Sequence, residues 1–178
     1  MKIGVISDTH IPGSGLHPKK LMSRLVNKVN QDAAALCEIT RPWFQGVDLI
    51  VHAGDFVSLD VITALSEFAP VEGVAGNMDP PEVSSRLPIK RVVTAGGFKL
   101  GVVHGSGAPH GLELRLRKEF EGVDLIVFGH SHQPFLAEVD KVLMFNPGSP
   151  TDQRWAPSRA LGFVHLDREI RCEHIELK

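Results

Sequence analysis

Five short polar clusters interrupt this chain: Asp8-Thr9-His10, Gly54-Asp55, Gly76-Asn77-Met78-Asp79, His104-Gly105 and Gly129-His130-Ser131-His132. Each directly follows an apolar run (KIGVIS, LIVHA, VEGVA, KLGVV and DLIVF), so each stands at the C-terminal end of an expected strand, where sheet-based folds gather ligand and catalytic groups. The residue types suit a pair of bound cations. Imidazole favours zinc, iron, nickel and manganese, while carboxylate oxygens favour harder ions and can bridge two of them. In Asp8-x-His10 and His130-x-His132 the candidate ligands stand two apart, and an extended backbone would turn both toward one face. The glycines at 54, 76, 105 and 129 allow tight turns with no side chain in the way. Any one cluster alone is ordinarily just a loop; the specificity lies in all five occurring in this order. No Gly-x-Ser-x-Gly elbow follows a strand, so a nucleophilic serine is not expected.

The elements that must position these clusters are legible as periodicity. Strands are expected at Lys2–Ser7, Asp48–His52, Val71–Ala75, Arg91–Thr94, Lys99–Val103, Asp124–Phe128, Phe135–Val139, Val142–Asn146, Leu161–Leu166 and Ile170–Ile175. The early ones are continuous apolar runs, as for strands covered on both faces. The later ones come in close pairs around Gly96-Gly97 or Asp140-Lys141, which reads as antiparallel hairpins. Helical spacing appears over Pro18–Ile39, again at Val61, Ile62, Leu65 and Phe68 after a Ser58 cap, and at Leu112, Leu114, Leu116 and Phe120. The last helix carries Arg115, Arg117 and Lys118, read as a solvated basic face. This order predicts an α/β fold of two mixed sheets packed face to face with helices outside, as one domain over residues 1–178. Ile11–Lys20, rich in Gly and Pro, reads as a loop that overhangs the metal clusters.

The net charge of −2 gives no field that would favour nucleic acid or an anionic membrane. Cys37 and Cys172 lack metal-site spacing and read as free thiols of a reducing compartment. The opening apolar run is too short for a signal peptide or a membrane span, so a cytoplasmic protein is expected.

The order DTH, GD, GN, HG, GHSH resembles the calcineurin-like metallophosphoesterase superfamily. The short length, GNMD and the later Asn146-Pro147-Gly148-Ser149 are similar to its small phosphodiesterase branch, which also contains the metallophosphoesterase-like retromer subunit. The resemblance spans Ile3 to about Ser149. It implies a four-layer αββα sandwich with two divalent metal ions at the strand ends. Asp8, His10 and His132 would hold the first ion, Asn77, His104 and His130 the second, and Asp55 would bridge them. The implied activity is phosphoester hydrolysis by direct attack of a water activated between the ions. Manganese is the first expectation, with nickel, iron, zinc or cobalt as alternatives. Asp55, Asn77 and His104 are then catalytic, and Asn77 also contacts substrate. The expected partner is a small phosphoester, a nucleotide among the candidates, with a homo-oligomer left open. The alternative is a partner-binding scaffold on the same fold, which has no chemical need to keep all seven ligands.

One departure narrows the activity. Met78 stands where the family pattern GNH places a histidine that serves the leaving oxygen, and a thioether has no proton to give. This favours good leaving groups and moves the expectation from general phosphatase toward phosphodiesterase. His110 is a candidate replacement acid, and Arg154 a candidate phosphate ligand through its bidentate fork. His52 reads equally as packed or catalytic; His17, His165 and His174 read as surface or edge-strand residues. Asn146-Pro147-Gly148-Ser149 reads equally as a loop near the site or a turn ending a strand. Trp43, Phe44 and Trp155 could form a lip for a nucleoside base, though anchoring in core or loops is the commoner use.

Overall fold

The computed structural model describes residues 1–12 and 33–178. In chain order the strands are β1 (Lys2–Ile6), β2 (Leu49–His52), β3 (Val71–Gly73), β4 (Lys90–Ala95), β5 (Phe98–Val103), β6 (Leu125–Val127), β7 (Phe135–Val139), β8 (Val142–Asn146), β9 (Arg159–Leu166) and β10 (Ile170–Leu177). The helices among the described residues are α1 (Ala33–Phe44), α2 (Asp60–Leu65), α3 (Pro81–Ser84) and α4 (Leu112–Arg117).

The strands form two mixed sheets, ordered β10-β9-β1-β2-β3 and β4-β5-β6-β8-β7. In the first, β1 runs parallel to β2, with Ile3 opposite Leu49 and Ile6 opposite His52, and β2 runs parallel to β3. In the second, β5, β6 and β8 are parallel. The pairs β4–β5, β7–β8 and β9–β10 are antiparallel, as the short turns between them require.

Alternation along β1 explains the layering. Ile3 and Val5 meet Leu100, Val102, Leu125, Val127 and Phe145 between the sheets. Ile6 turns the other way, with Ile50, to Leu36 and Phe44 of α1 and Val61 and Leu65 of α2. Behind the second sheet, Ile126 and Met144 pack on Leu112 and Leu116 of α4. The result is the four-layer αββα sandwich, with three buried apolar seams rather than one. The parallel strands of each sheet then deliver their C-terminal loops to a shared edge.

Several elements differ from expectation. The part of the expected Pro18–Ile39 helix before residue 33 lies outside the described residues, and α1 continues past Ile39 through Pro42. Burial of Phe44 against Ile50 and Phe163 outweighs the backbone hydrogen bond that Pro42 removes. Ser58 Oγ accepts the Asp60 N–H at 3.1 Å, but Leu59 rather than Ser58 holds the cap position of α2. The single turn α3, begun by Pro81, had no apolar periodicity to announce it. The basic face of α4 is not simply solvated. The Arg115 guanidinium donates to the carbonyls of His110 (3.0 Å), Ser106 (3.4 Å) and Ala108, and Arg117 donates to those of Phe120 and Asp140. No helix among the described residues is long and apolar enough to cross a membrane.

Candidate metal centre

The ligand loops begin where the strands stop, and they do so in left-handed backbone. Asp8 (φ 55), His10 (φ 47), Asp55 (φ 59), His130 (φ 71) and His132 (φ 58) all have positive φ. The expectation that extended i, i+2 spacing aligns the paired ligands is therefore corrected: the chain leaves β1 and β6 and curls, so convergence comes from turns rather than pleat. Such conformations cost on the order of 1 kcal/mol each for a side-chain-bearing residue and persist where surrounding structure fixes them. Here the N–H groups of Asp8 and His10 bond the carbonyls of Gly54 and Asp55, each at 3.0 Å, lacing the first two ligand loops together. Gly129 N–H bonds His104 C=O at 3.1 Å, lacing two more.

The side chains then meet. Asp8 Oδ1 lies 3.3 Å from His132 Nε2, 3.8 Å from His104 Nε2 and 3.9 Å from His10 Nε2. Asp55 Oδ2 lies 3.2 Å from His104 Nε2 and 3.6 Å from His10 Nε2. Among the described residues, Asp8-His10-His132 and Asp8-Asp55-His104 each bring their ligand atoms within 4.8 Å of one another. His130 joins neither group; its Nδ1 is 2.9 Å from Asn77 Oδ1, and its ring meets that of His104 edge-on at 5.4 Å.

The hydrogen bonds behind these groups fit them to cations. A carbonyl oxygen only accepts, so Ala53 C=O at 2.7 Å from His104 Nδ1 and Asp152 C=O at 2.7 Å from His132 Nδ1 place the ring proton on Nδ1 in both residues. Their Nε2 lone pairs then face the carboxylates and, for His132, the Nε2 of His10 at 3.1 Å. Lone pairs and carboxylates repel at such distances unless a proton or a cation sits among them. His104 Nε2 is buried with no aligned hydrogen-bond partner, despite Asp55 Oδ2 at 3.2 Å. Gly107 C=O, 2.8 Å from His130 Nε2, fixes that ring the other way round and leaves Nδ1 the lone pair beside Asn77. The electrostatics agree. Burial opposes charge on His104, but Asp55, Asp8 and the Ala53 carbonyl outweigh it and raise its pKa. Burial likewise opposes the Asp55 carboxylate, yet His104, the Met78 N–H and His10 hold its pKa below the ordinary value. The cluster attracts positive charge.

Several supporting contacts were not foreseen from the sequence. Asp79 accepts N–H groups from Val57 (2.6 Å), Gly76 (2.8 Å) and Asp55 (3.2 Å), so it ties the Gly54-Asp55 loop to the end of β3. Met78 presents an exposed side chain, but its N–H donates to Asp55 Oδ1 at 2.7 Å. The late loop lies at the site, which decides between its two readings. Asn146 Nδ2 holds Gly129 C=O and Ser131 Oγ, Ser149 Oγ donates to Asp8 C=O, and Thr151 Oγ1 donates to Thr9 C=O. The sequence signal for Asn146 and Ser149 was the resemblance of Asn146-Pro147-Gly148-Ser149 to the family; Thr151 had none.

The remaining candidates separate. His110 is exposed and outside the ligand groups. Arg154 bonds Asp152 Oδ2 through Nε at 3.1 Å, and its charge reaches His10. Trp155 is 88% exposed, whereas Phe44 is fully buried and Trp43 packs against the same core, so neither of the latter forms a lip. His165 pairs with Glu173 on the strand surface. His174 lies on the edge strand β10, half-buried, with its ring tilted against Phe145 and Nε2 at 2.7 Å from Asn146 C=O. His17 and the Ile11–Lys20 loop beyond Pro12 lie outside the described residues. Both cysteines are free.

His52 takes the packed reading. Its Nδ1 accepts the Gly54 N–H at 3.2 Å, its Nε2 faces Thr9 Oγ1 at 3.1 Å, and its ring stacks on Phe56. Burial, with repulsion from His104, holds its pKa well below the ordinary 6.5. The unfolded chain therefore binds a proton first as pH falls below about 6.5, and stability present at neutral pH is lost on acidification, with a limiting slope of about 1.4 kcal/mol per pH unit. Urea unfolding between about pH 7 and pH 5 should show wild type losing more stability than His52→Asn. Parallel losses in the two proteins would contradict this role.

Comparison with known proteins gives a consistent result. The profile of the calcineurin-like phosphoesterase superfamily domain matches residues 1–169. A probable metallophosphoesterase of Methanothermobacter thermautotrophicus is 38% identical over 156 residues, covering 86% of this chain and 80% of that protein. Vacuolar protein sorting-associated protein 29 of Schizosaccharomyces pombe is 28% identical over 207 residues, covering 100% of this chain and 98% of that protein. Among solved structures, one described as a novel archaeal phosphodiesterase superposes with a TM-score of 0.67 at 25% identity, covering 99% of this chain and 100% of that one.

Proposed function

The chain belongs to the calcineurin-like phosphoesterase superfamily, and from that premise we propose that it is a divalent-metal-dependent phosphodiesterase holding two ions in the cluster around Asp8 and Asp55. The observation that carries this reading is the buried convergence of imidazole lone pairs on two carboxylates, with His104 Nε2 left unpartnered. Asp8, His10 and His132 would hold one ion. Asn77, His104 and His130 would hold the other, with Asp55 between them; the sharing of Asp8 by both triads supports a closely spaced pair. When bound, manganese or a similar divalent pair supplies charge neutralisation at the phosphoryl oxygens and a water acidified enough to attack phosphorus.

The residues of the chain do the rest. The Ala53 and Asp152 carbonyls keep His104 and His132 in the tautomers that face the centre. Asn77, exposed at the rim, is placed to orient a phosphoryl oxygen, and Arg154 adds positive charge on the side of His10. Asp79 is engaged by three backbone N–H groups and is occupied as an anchor rather than as a proton donor. With Met78 at the position of the family histidine, the leaving oxygen finds no adjacent acid, which supports diesters with good leaving groups as substrates.

Hydrolysis of an aryl phosphodiester and its monoester across Mn, Ni, Co, Zn, Mg and Fe tests the reading. Metal-dependent turnover favouring the diester is expected. Met78→His should then raise kcat for an alkyl leaving group by about 10²-fold more than for an aryl one. Equal effects would remove leaving-group protonation from the account. Failure of every metal to give turnover would favour the scaffold reading, which draws on the likeness to vacuolar protein sorting-associated protein 29.

A further inference from the structure

We propose that Asp152 makes the centre selective for the charge of its substrate. By pairing with Arg154 it offsets the arginine's positive charge, so that a monoanionic diester is accepted while a dianionic monoester gains no extra hold. This rests on the phosphodiesterase reading above. Asp152 acts through Arg154, as a positioning residue.

The backbone of Asp152 is tied to the metal loops on both sides. Its carbonyl accepts the His132 Nδ1–H at 2.7 Å. Its N–H donates at 2.9 Å to Ser149 Oγ, a hydroxyl that itself donates to Asp8 C=O at 2.8 Å. The side chain makes a separate contact. Asp152 Oδ2 accepts the Arg154 Nε–H at 3.1 Å and lies 3.8 Å from His132 Nδ1, where no ring proton is free for it. The carboxylate is 38% exposed and can therefore be changed without disturbing the backbone that holds His132.

Arg154 gives that carboxylate its use. Its guanidinium is tied through Nε alone, with no hydrogen bond from either Nη among the described residues. Burial lowers the pKa of His10 against the pull of Asp55 and Asp8, and the charges of His132 and Arg154 add to the lowering, so the guanidinium is felt at the first triad. An unpaired guanidinium there would attract an anion in proportion to the anion's charge, twice as strongly for a dianion. Beside Asp152 the pair is close to neutral, yet both Nη groups keep their donors for one phosphoryl oxygen. The carboxylate thus costs a diester little and a monoester more.

The test measures calorimetric binding of inorganic phosphate and of dimethyl phosphate to the manganese-loaded protein, at about pH 8, where phosphate and monoesters are dianions. Turnover of 4-nitrophenyl phosphate and methyl 4-nitrophenyl phosphate is followed alongside. Asp152→Asn should tighten phosphate about fivefold and dimethyl phosphate only about twofold, with kcat/KM for the two esters changing in the same proportion. Added salt should shrink the difference. Combining Asp152→Asn with Arg154→Gln should return the ratio between the two anions to that of wild type. Equal changes for both anions, or no binding of either by wild type, would overturn the inference. Equal changes with diester turnover intact would leave the phosphodiesterase reading standing. Charge-selective binding without turnover under any metal would defeat that reading alone.

Discussion

Replacing Asp55 by alanine is expected to lower metal-dependent diester turnover by about 10³-fold or more, because the ion pair supplies several kcal/mol of transition-state charge stabilisation. Asp55 reaches both halves of the centre, at 3.2 Å from His104 Nε2 and 3.6 Å from His10 Nε2. Its other oxygen is fixed by the Met78 N–H, and the neighbouring Asp79 carboxylate is already held by the Gly76 and Val57 N–H groups. The folded protein need not suffer. The folded-state pKa of Asp55 is depressed, so its charged form contributes stability above the ordinary carboxylate pKa, lost as pH falls through the folded value. At neutral pH that loss is partly offset, because the variant also removes repulsion between Asp55 and Asp8. The separating measurement is thermal: manganese should raise the melting temperature of wild type but leave that of Asp55→Ala nearly unmoved. Turnover within about tenfold of wild type would contradict the bridging role.

The second large effect is expected at a residue with no side chain. A Cβ at Gly129 would overlap Ser7 Oγ and fall 2.8 Å from Asp8 Oδ2 and 3.0 Å from the Ala53 carbonyl. None of these can retreat. Ser7 and Asp8 are fully buried and bonded to each other at 2.7 Å, and Ala53 C=O holds His104. Gly129→Ala must therefore push the His130–His132 loop away from Asp8, whose carboxylate accepts the His130 N–H at 3.0 Å. Metal affinity should fall about 10–100-fold, as when outer partners of ligands are removed, and unfolding free energy by about 1–3 kcal/mol from overpacking. Chelator competition and urea unfolding read the two effects separately. Unchanged affinity alongside lowered stability would show that the loop does not depend on this close approach.

Much of the architecture was legible because it rests on period and run length. The buried strands β1, β2 and β6 carry uninterrupted apolar runs (Ile3–Ile6, Leu49–Val51 and Leu125–Val127), and the hairpins around Gly96-Gly97 and Asp140-Lys141 carry their own turn chemistry. The candidate ligands were legible through the order of five polar clusters, each ending an apolar run, and through the family resemblance that this order carries. What was not legible depends on partners far along the chain. Left-handed backbone at Asp8 and His10 is held by hydrogen bonds to another loop, not by any local preference of the sequence. Asp79 and Thr151 look like ordinary loop residues until their partners are known; Asn146-Pro147-Gly148-Ser149 stood out only through the family resemblance, and Ser149 meets Asp8 across 141 positions of sequence. The continuation of α1 through Pro42 is likewise a tertiary effect, set by the burial of Phe44.

The central claim is that this chain hydrolyses phosphodiesters with two ions at one cluster. Its most direct test is a single titration of metal-free protein with manganese, following bound metal and diester turnover on the same sample. The account predicts two ions bound per chain, with turnover tracking occupancy of the second. Saturation at one ion with full activity, or two bound ions with no turnover of any diester, would contradict it.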